Sequence, residues 1–261
     1  MDWRGVENYD QMSERGADAI FQAMVSRLAE GKRFNLGLAT GNTMIGLYRL
    51  LAAKLNRERI DLRRLHTYNL DEYVGPDGKS VPADHPLSYR GYMHQNLFSA
   101  LDASLGFAES QAHFPDPVDP AAFDHELEAA GGLDFQLLGI GFNGHIAFNE
   151  PISESEISAA DFAALPSRTV ALKELTIQTN SRLTAGDDDA LVPRHAATMG
   201  MRQILAAQEI LLLACFPEQV TPLGQMLADP RPTPELPASY LVDHPDATIV
   251  YTRDVISLDL P

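Results

Sequence analysis

Five short apolar runs constrain this chain more than any other feature. Asn35 to Ala39, Leu65 to Leu70, Leu133 to Ile140, Glu209 to Cys215 and Ala247 to Thr252 are rich in leucine or β-branched residues and have the length of strands. Strands apolar on both faces belong in a sheet covered on both sides. Between them apolar residues recur at helical spacing. Met44, Leu47, Tyr48, Leu51 and Leu55 make the clearest stripe, with others at Ser88 to Leu97, Ala121 to Ala130 and Val220 to Leu227. A further helix, carrying Ile20, Phe21, Met24, Val25 and Leu28 and stopped by Gly31, precedes the first run. Strands alternating with helices predict an α/β three-layer sandwich with a mainly parallel sheet, here as one domain over residues 1–261. In such sheets ligands sit at the carboxyl ends of the strands, so the residues just after each run carry the chemistry.

Length and charge narrow the function. The 261 residues suffice for a core without disulfide or metal staples. With 36 acidic against 20 basic residues the net charge is −16, which argues against nucleic acid or an anionic membrane as partner. Any anionic ligand must be held locally. Cys215, the single cysteine, lies in an apolar run and reads as a buried reduced thiol. The polar stretch Met1 to Asp10 is no signal peptide, and no run approaches the ~18 apolar residues of a membrane span. A cytoplasmic protein is expected. There is no repeat, and Pro230 to Pro237 reads as a surface loop.

Three segments follow the strands. Thr40-Gly41-Asn42-Thr43 precedes a helix, and a Gly turn with a hydroxyl N-cap there makes an anion-binding corner from free backbone N–H groups and the helix dipole. The tetrapeptide alone equally fits a plain capped helix, and it is not a Walker A loop. Asp71 and Glu72 end the second run, and one of them is a candidate proton carrier, although a solvated turn is the more ordinary reading of such a pair. The third segment, Gly139 to Pro151, formally contains G-x-G-x-x-G, but Pro151 interrupts the required helix and no strand-end acid follows at the right distance. Its glycines instead let the backbone turn beneath a site that gathers Asn143, His145 and Glu150. A histidine with an amide and a carboxylate nearby suits general acid–base work. The histidines and the lone cysteine show no metal spacing, so chemistry without metal or cofactor is expected.

The segments LATGNT (Leu38 to Thr43), YNLDEYVG (Tyr68 to Gly75), HPLSY (His85 to Tyr89), GIGFNGHIAFNEP (Gly139 to Pro151), NSR (Asn180 to Arg182) and ATMGM (Ala197 to Met201) resemble, in order, the glucosamine-6-phosphate deaminase/isomerase family. The resemblance implies a Rossmann-like α/β sandwich that converts an amino-sugar phosphate to the ketose phosphate with release of ammonia. It implies Asp71 as the base that takes the C2 proton and returns one to C1, and His145, oriented by Glu150, as the group that opens the pyranose ring. Asn143 stands where the best-known members carry Asp. For the phosphate it implies Thr40, Gly41, Asn42, Thr43 and Arg182.

The departures fall around that phosphate. Gln219 occupies the position of an expected lysine, leaving Arg182 and backbone N–H groups, with Arg202 as a candidate helper. Loss of one such contact is worth ~1.5 to 3 kcal/mol. Pro76 to Ala83 and Ile152 to Pro166 depart from the family pattern and are expected beside the site, with residues 152–195 as a candidate lid. Val170 and Leu172 replace the basic residues of allosterically controlled members. Because the family includes monomers and hexamers, a homo-oligomer stays open. Galactosamine-6-phosphate is a variant substrate. A 6-phosphogluconolactonase is opposed by Glu72-Tyr73 and Ala147 to Glu150, and a non-catalytic sugar-phosphate sensor by the retained Asp71, His145 and Glu150.

Overall fold

In the computed structural model, which describes residues 1–259, the chain starts with β1 (Asp2–Val6), α1 (Tyr9–Ala29), β2 (Phe34–Leu38), α2 (Ile45–Glu58), β3 (Leu65–Asn69) and β4 (Asp71–Val74). It continues with α3 (Tyr89–Asn96), β5 (Ala112–His113), α4 (Pro120–Ala129), β6 (Phe135–Gly139), α5 (Ala159–Ala163) and β7 (Arg168–Ala171). The remaining elements are α6 (Glu174–Thr184), β8 (His195–Thr198), α7 (Met201–Leu205), β9 (Glu209–Ala214), α8 (Val220–Ala228) and β10 (Ala247–Thr252). Seven strands form one parallel sheet in the order β1-β10-β9-β6-β2-β3-β5, and β4, β8 and β7 form a separate antiparallel sheet. The five expected strands are β2, β3, β6, β9 and β10, and helices cover the sheet on both faces as the alternation predicts.

Every residue of β2 is buried, and its one polar residue, Asn35, donates its side-chain amide to Ala130 O and Gly132 O. α1 begins where the Asn8 side chain accepts the N–H of Gln11, and the chain turns beyond its end at Gly31, whose φ of 69° suits glycine. α1 lies close against α2 because Gly16 has no side chain: a Cβ there would sit 2.4 Å from Leu47 Cδ1. Among the described residues no helix is long and apolar enough to cross a membrane.

The strands that periodicity missed are short or lie at edges. β1 is half-exposed and pairs with β10 alone, so the polar N-terminal stretch is an edge strand. β4, β7 and β8 have at most four residues each. Their sheet covers a small second core that includes Tyr73, Leu87, Phe148, Leu172, Ile177 and Ala196. Leu70 joins the two sheets, donating its N–H to Leu38 O at 3.1 Å and accepting that of Met199 at 2.7 Å.

The Asp71-Glu72 pair is no solvated turn: both residues are buried on β4. Glu72 is fully enclosed, and its carboxylate accepts the Tyr73 and Tyr89 N–H groups on one oxygen and the Ser88 hydroxyl and Arg90 N–H on the other, at 2.9 to 3.0 Å. Two of those N–H groups open α3, so this carboxylate caps the helix and bolts it to β4. Glu72→Ala should leave these donors unpaired and lower the unfolding free energy by about 3 kcal/mol in urea titrations. A loss below about 1 kcal/mol would mean that the cap does not hold α3.

Candidate active site

A cavity of about 250 Å³ opens where the strands end, with walls from the segments after β2, β6 and β9, from β4, and from α3 and α6. Thr40 to Thr43, Asp71, Asn143 and His145 line it together. In sequence these residues follow different strands, and the parallel sheet delivers them to one rim.

Asp71 is the first residue of β4, 8 % exposed, and its Oδ1 accepts the Phe148 N–H at 3.1 Å. Burial pushes its carboxyl up from the ordinary 3.8 to about 7, against the opposing pull of the Thr198 hydroxyl, the Phe148 N–H and His145. A carboxyl poised near neutrality can take and return a proton.

Opposite it, Gly141 makes room for the His145 ring, which a Cβ would meet at 2.3 to 2.5 Å. Glu150 is buried behind the ring with Oε2 3.4 Å from His145 Nδ1, within ion-pair reach, although Nδ1 makes no well-aligned hydrogen bond. Such contacts commonly tighten only when a ligand is bound. Asn143 Nδ2 donates to Glu150 Oε2 at 2.7 Å, and Thr176 of α6 donates its hydroxyl to Oε1 at 2.6 Å. Burial alone would raise Glu150, but His145, then Thr176 and Asn143, outweigh it and hold the carboxyl at about 2. The amide of Asn143 does not bond to the imidazole ring. It grips Glu150, and its Oδ1 accepts the backbone N–H of His145 at 3.2 Å.

The corner after β2 corrects one expectation. No hydroxyl caps the helix: Gly41, at φ 103°, opens a single 3₁₀ turn over Asn42–Met44 without a side-chain cap. The loop is pinned from outside by tyrosines that sequence reading did not assign to the site. Tyr92 OH donates to Gly41 O at 2.7 Å and Tyr9 OH to Asn42 O at 3.1 Å, and Tyr48 OH donates to Ala39 O. With these carbonyls engaged, the loop holds one shape facing the cavity. Their sequence signal is weak, because Tyr48 and Tyr92 read as ordinary members of helical segments and Tyr9 falls in the polar N-terminal stretch.

The expected cations do not line this cavity, whose described walls contain no lysine or arginine. Arg182, on the last turn of α6, lies outside: it donates to Glu218 at 2.8 Å and rests 5.8 Å above the Phe142 ring, whose residue forms part of the wall. Arg202 does not line the cavity either, and its guanidinium pairs at 3.1 Å with Asp124 and Glu128, which lie away from the walls. Gln219 lines the wall but spends its polar atoms on the backbone, accepting the N–H groups of Cys215 and Phe216 and donating to Ile140 O at 2.7 to 2.8 Å. Cys215 is half-buried and free, and burial raises its thiol against the pull of Thr43. Neither Pro76 to Ala83 nor Ile152 to Pro166 reaches the cavity. Val81 and Leu172 pack into the second core instead, and Val170 lies against it. Of residues 152–195, those lining the cavity belong to α6.

Residues 7–156 match the profile of the family described as glucosamine-6-phosphate isomerases/6-phosphogluconolactonase. A glucosamine-6-phosphate deaminase of Geobacillus sp. (strain WCH70) is 39 % identical over 257 residues, covering 96 % of this chain and 93 % of that protein. Glucosamine-6-phosphate deaminase 2 of Bacillus subtilis (strain 168) is 34 % identical over 250 residues, 94 % of this chain and 92 % of that one. Among solved structures, a monomeric glucosamine-6-phosphate deaminase superposes with a TM-score of 0.82 at 31 % identity, covering 98 % of each chain. A 6-phosphogluconolactonase from Thermotoga maritima shares the fold, with a TM-score of 0.68 at 21 % identity over 96 % of this chain and 98 % of that one.

The environment of Asp71 has a consequence for stability. Because its folded value is raised, the stabilisation it contributes is present below the ordinary carboxylate range and is lost as pH rises through about 7. Asp71→Asn should therefore raise the unfolding free energy by at least about 1 kcal/mol at pH 8 and by much less at pH 5. Urea titrations at the two pH values check this, and equal changes at both would contradict it.

Proposed function

Because the chain belongs to the glucosamine-6-phosphate isomerase/6-phosphogluconolactonase family, we propose that it deaminates and isomerises glucosamine-6-phosphate to fructose-6-phosphate and ammonia. The observation that carries this reading is Asp71, poised at about 7 in the same cavity as His145 and Asn143, with Glu150 behind them. His145 moves the proton between the ring oxygen and the anomeric hydroxyl, opening the pyranose to the aldehyde, with Glu150 stabilising the charge on the imidazole. Asp71 then removes the C2 proton, whose electron pair forms the C1–C2 double bond of an enolamine while the C1–O1 π pair moves onto O1, which takes a proton from water. The protonated Asp71 returns the proton to C1, leaving a C2 iminium, and water adds there and expels ammonia. One carboxyl thus gives up the proton that it took.

The phosphate is received at the Thr40 to Thr43 corner, with Arg182 turning in from Glu218, and α6 acts as the lid. Arg182 and Glu218 are both substantially exposed, so their pairing is weak and the exchange is inexpensive. The free, half-buried Cys215 supports a reducing, cytoplasmic setting. A second reading, an amino sugar without a terminal charge, is favoured by the cation-free walls.

Following ammonia and ketose with glucosamine-6-phosphate, galactosamine-6-phosphate and unphosphorylated glucosamine decides between them. The deaminase reading expects turnover of glucosamine-6-phosphate, and absence of turnover with every amino sugar would sink it. Arg182→Ala should raise KM for the phosphorylated sugar about tenfold with little change in kcat. Glu218→Gln should lower that KM about threefold. If unphosphorylated glucosamine is the better substrate and neither variant alters KM, the second reading stands.

A further inference from the structure

We infer that Thr198 is the positioning residue for the base: from the strand facing β4 it shares the Phe148 N–H with Asp71 and holds the carboxylate oriented and ionisable. The inference rests on the reading of Asp71 as the base and adds a residue to it. Asp71 and Thr198 are directly opposed in the antiparallel pairing of β4 with β8, which puts their side chains side by side. Thr198 is fully buried. The Phe148 N–H points between the two, 3.1 Å from Asp71 Oδ1 and 3.0 Å from Thr198 Oγ1.

A hydroxyl that accepts that N–H has its own hydrogen to give elsewhere. The hydroxyl reaches Met199 O only at a long 3.4 Å, and the other acceptor beside it is the Asp71 carboxylate, which is opposite it in register and shares the same N–H. The carboxylate is the better acceptor because it is charged. The N–H itself is aimed by strain, since Ala147, just before Phe148, adopts a left-handed backbone with φ 51°. A non-glycine residue there costs about 1 kcal/mol and persists only where the surroundings impose it. Thr198 therefore does two things for its neighbour: it donates to the ionised form, and it fixes the carboxylate plane from the side away from the cavity.

The test compares Thr198→Val, which keeps the shape and removes the donor, with Thr198→Ser, which keeps the donor. Each folded variant is read in two ways: the acid limb of the pH profile of kcat/KM, and the titration of the Asp71 carboxyl by carbon-13 NMR, assigned with Asp71→Asn. The expected result is that Val moves both midpoints up by about one pH unit and Ser leaves both near wild type. Thr198→Ala serves in place of Val if that variant does not fold. Midpoints unchanged in the donor-less variant, or shifted as far by Ser as by Val, would overturn the assignment. The NMR titration needs no turnover. Failure of the deaminase reading would show instead as a wild-type protein inactive on every amino sugar while the Asp71 titration still responds to Thr198.

Discussion

On a β-strand neighbouring side chains face opposite ways, and on β4 that alternation separates two carboxylates by function. Glu72 turns inward, where four donors surround it. Asp71 turns to the cavity, where few do. The first is a fixed anion that sets the place of α3 and, through Tyr92 of that helix, the shape of the corner at Gly41. The second is left under-solvated, which is what brings its titration near neutrality. A one-residue slip of β4 would exchange the two environments and abolish both roles, so the pairing of Asp71 with Thr198 and Glu72 with Ala197 is the register on which the rest of the site depends.

Legibility in the sequence followed burial. The five inner strands of the large sheet were readable because they are buried on both faces, and β10 was predicted with its observed limits, Ala247–Thr252. The small sheet was not, because four-residue strands give too few positions for a period to emerge, and β4 disguises itself with two acids. The cluster at Asn143, His145 and Glu150 was legible because its members are local and the glycines announce a turn. What the sequence did not disclose was partnership across distance. Nothing near Tyr9 or Tyr92 says that their hydroxyls end on the loop after β2, and nothing near Arg202 says that Asp124 and Glu128 already hold it. Resemblance named Arg182 but carried no sign of Glu218, its partner thirty-six residues away in sequence.

The two ends of the cavity use different physics. Around Asp71 and Glu150 charges are buried and few, so each hydrogen bond shifts a proton equilibrium. At the far end the wall is neutral, and order comes from backbone geometry clamped by phenolic hydroxyls. Gln219 fits this division: in place of a cation it supplies an amide that closes the ends of β6 and β9.

The pairing of Arg182 with Glu218 has a consequence for selectivity against small competitors. An empty pocket with a naked cation attracts any phosphate or sulfate in solution and is occupied by them most of the time. Here the Arg182 guanidinium is already paired with Glu218 at the surface, so a free anion gains little by displacing that partner. On the proposed reading, only a molecule that also fills the rest of the cavity recovers enough contact to turn Arg182 inward, and a terminal phosphate is taken conditionally, as part of a larger ligand.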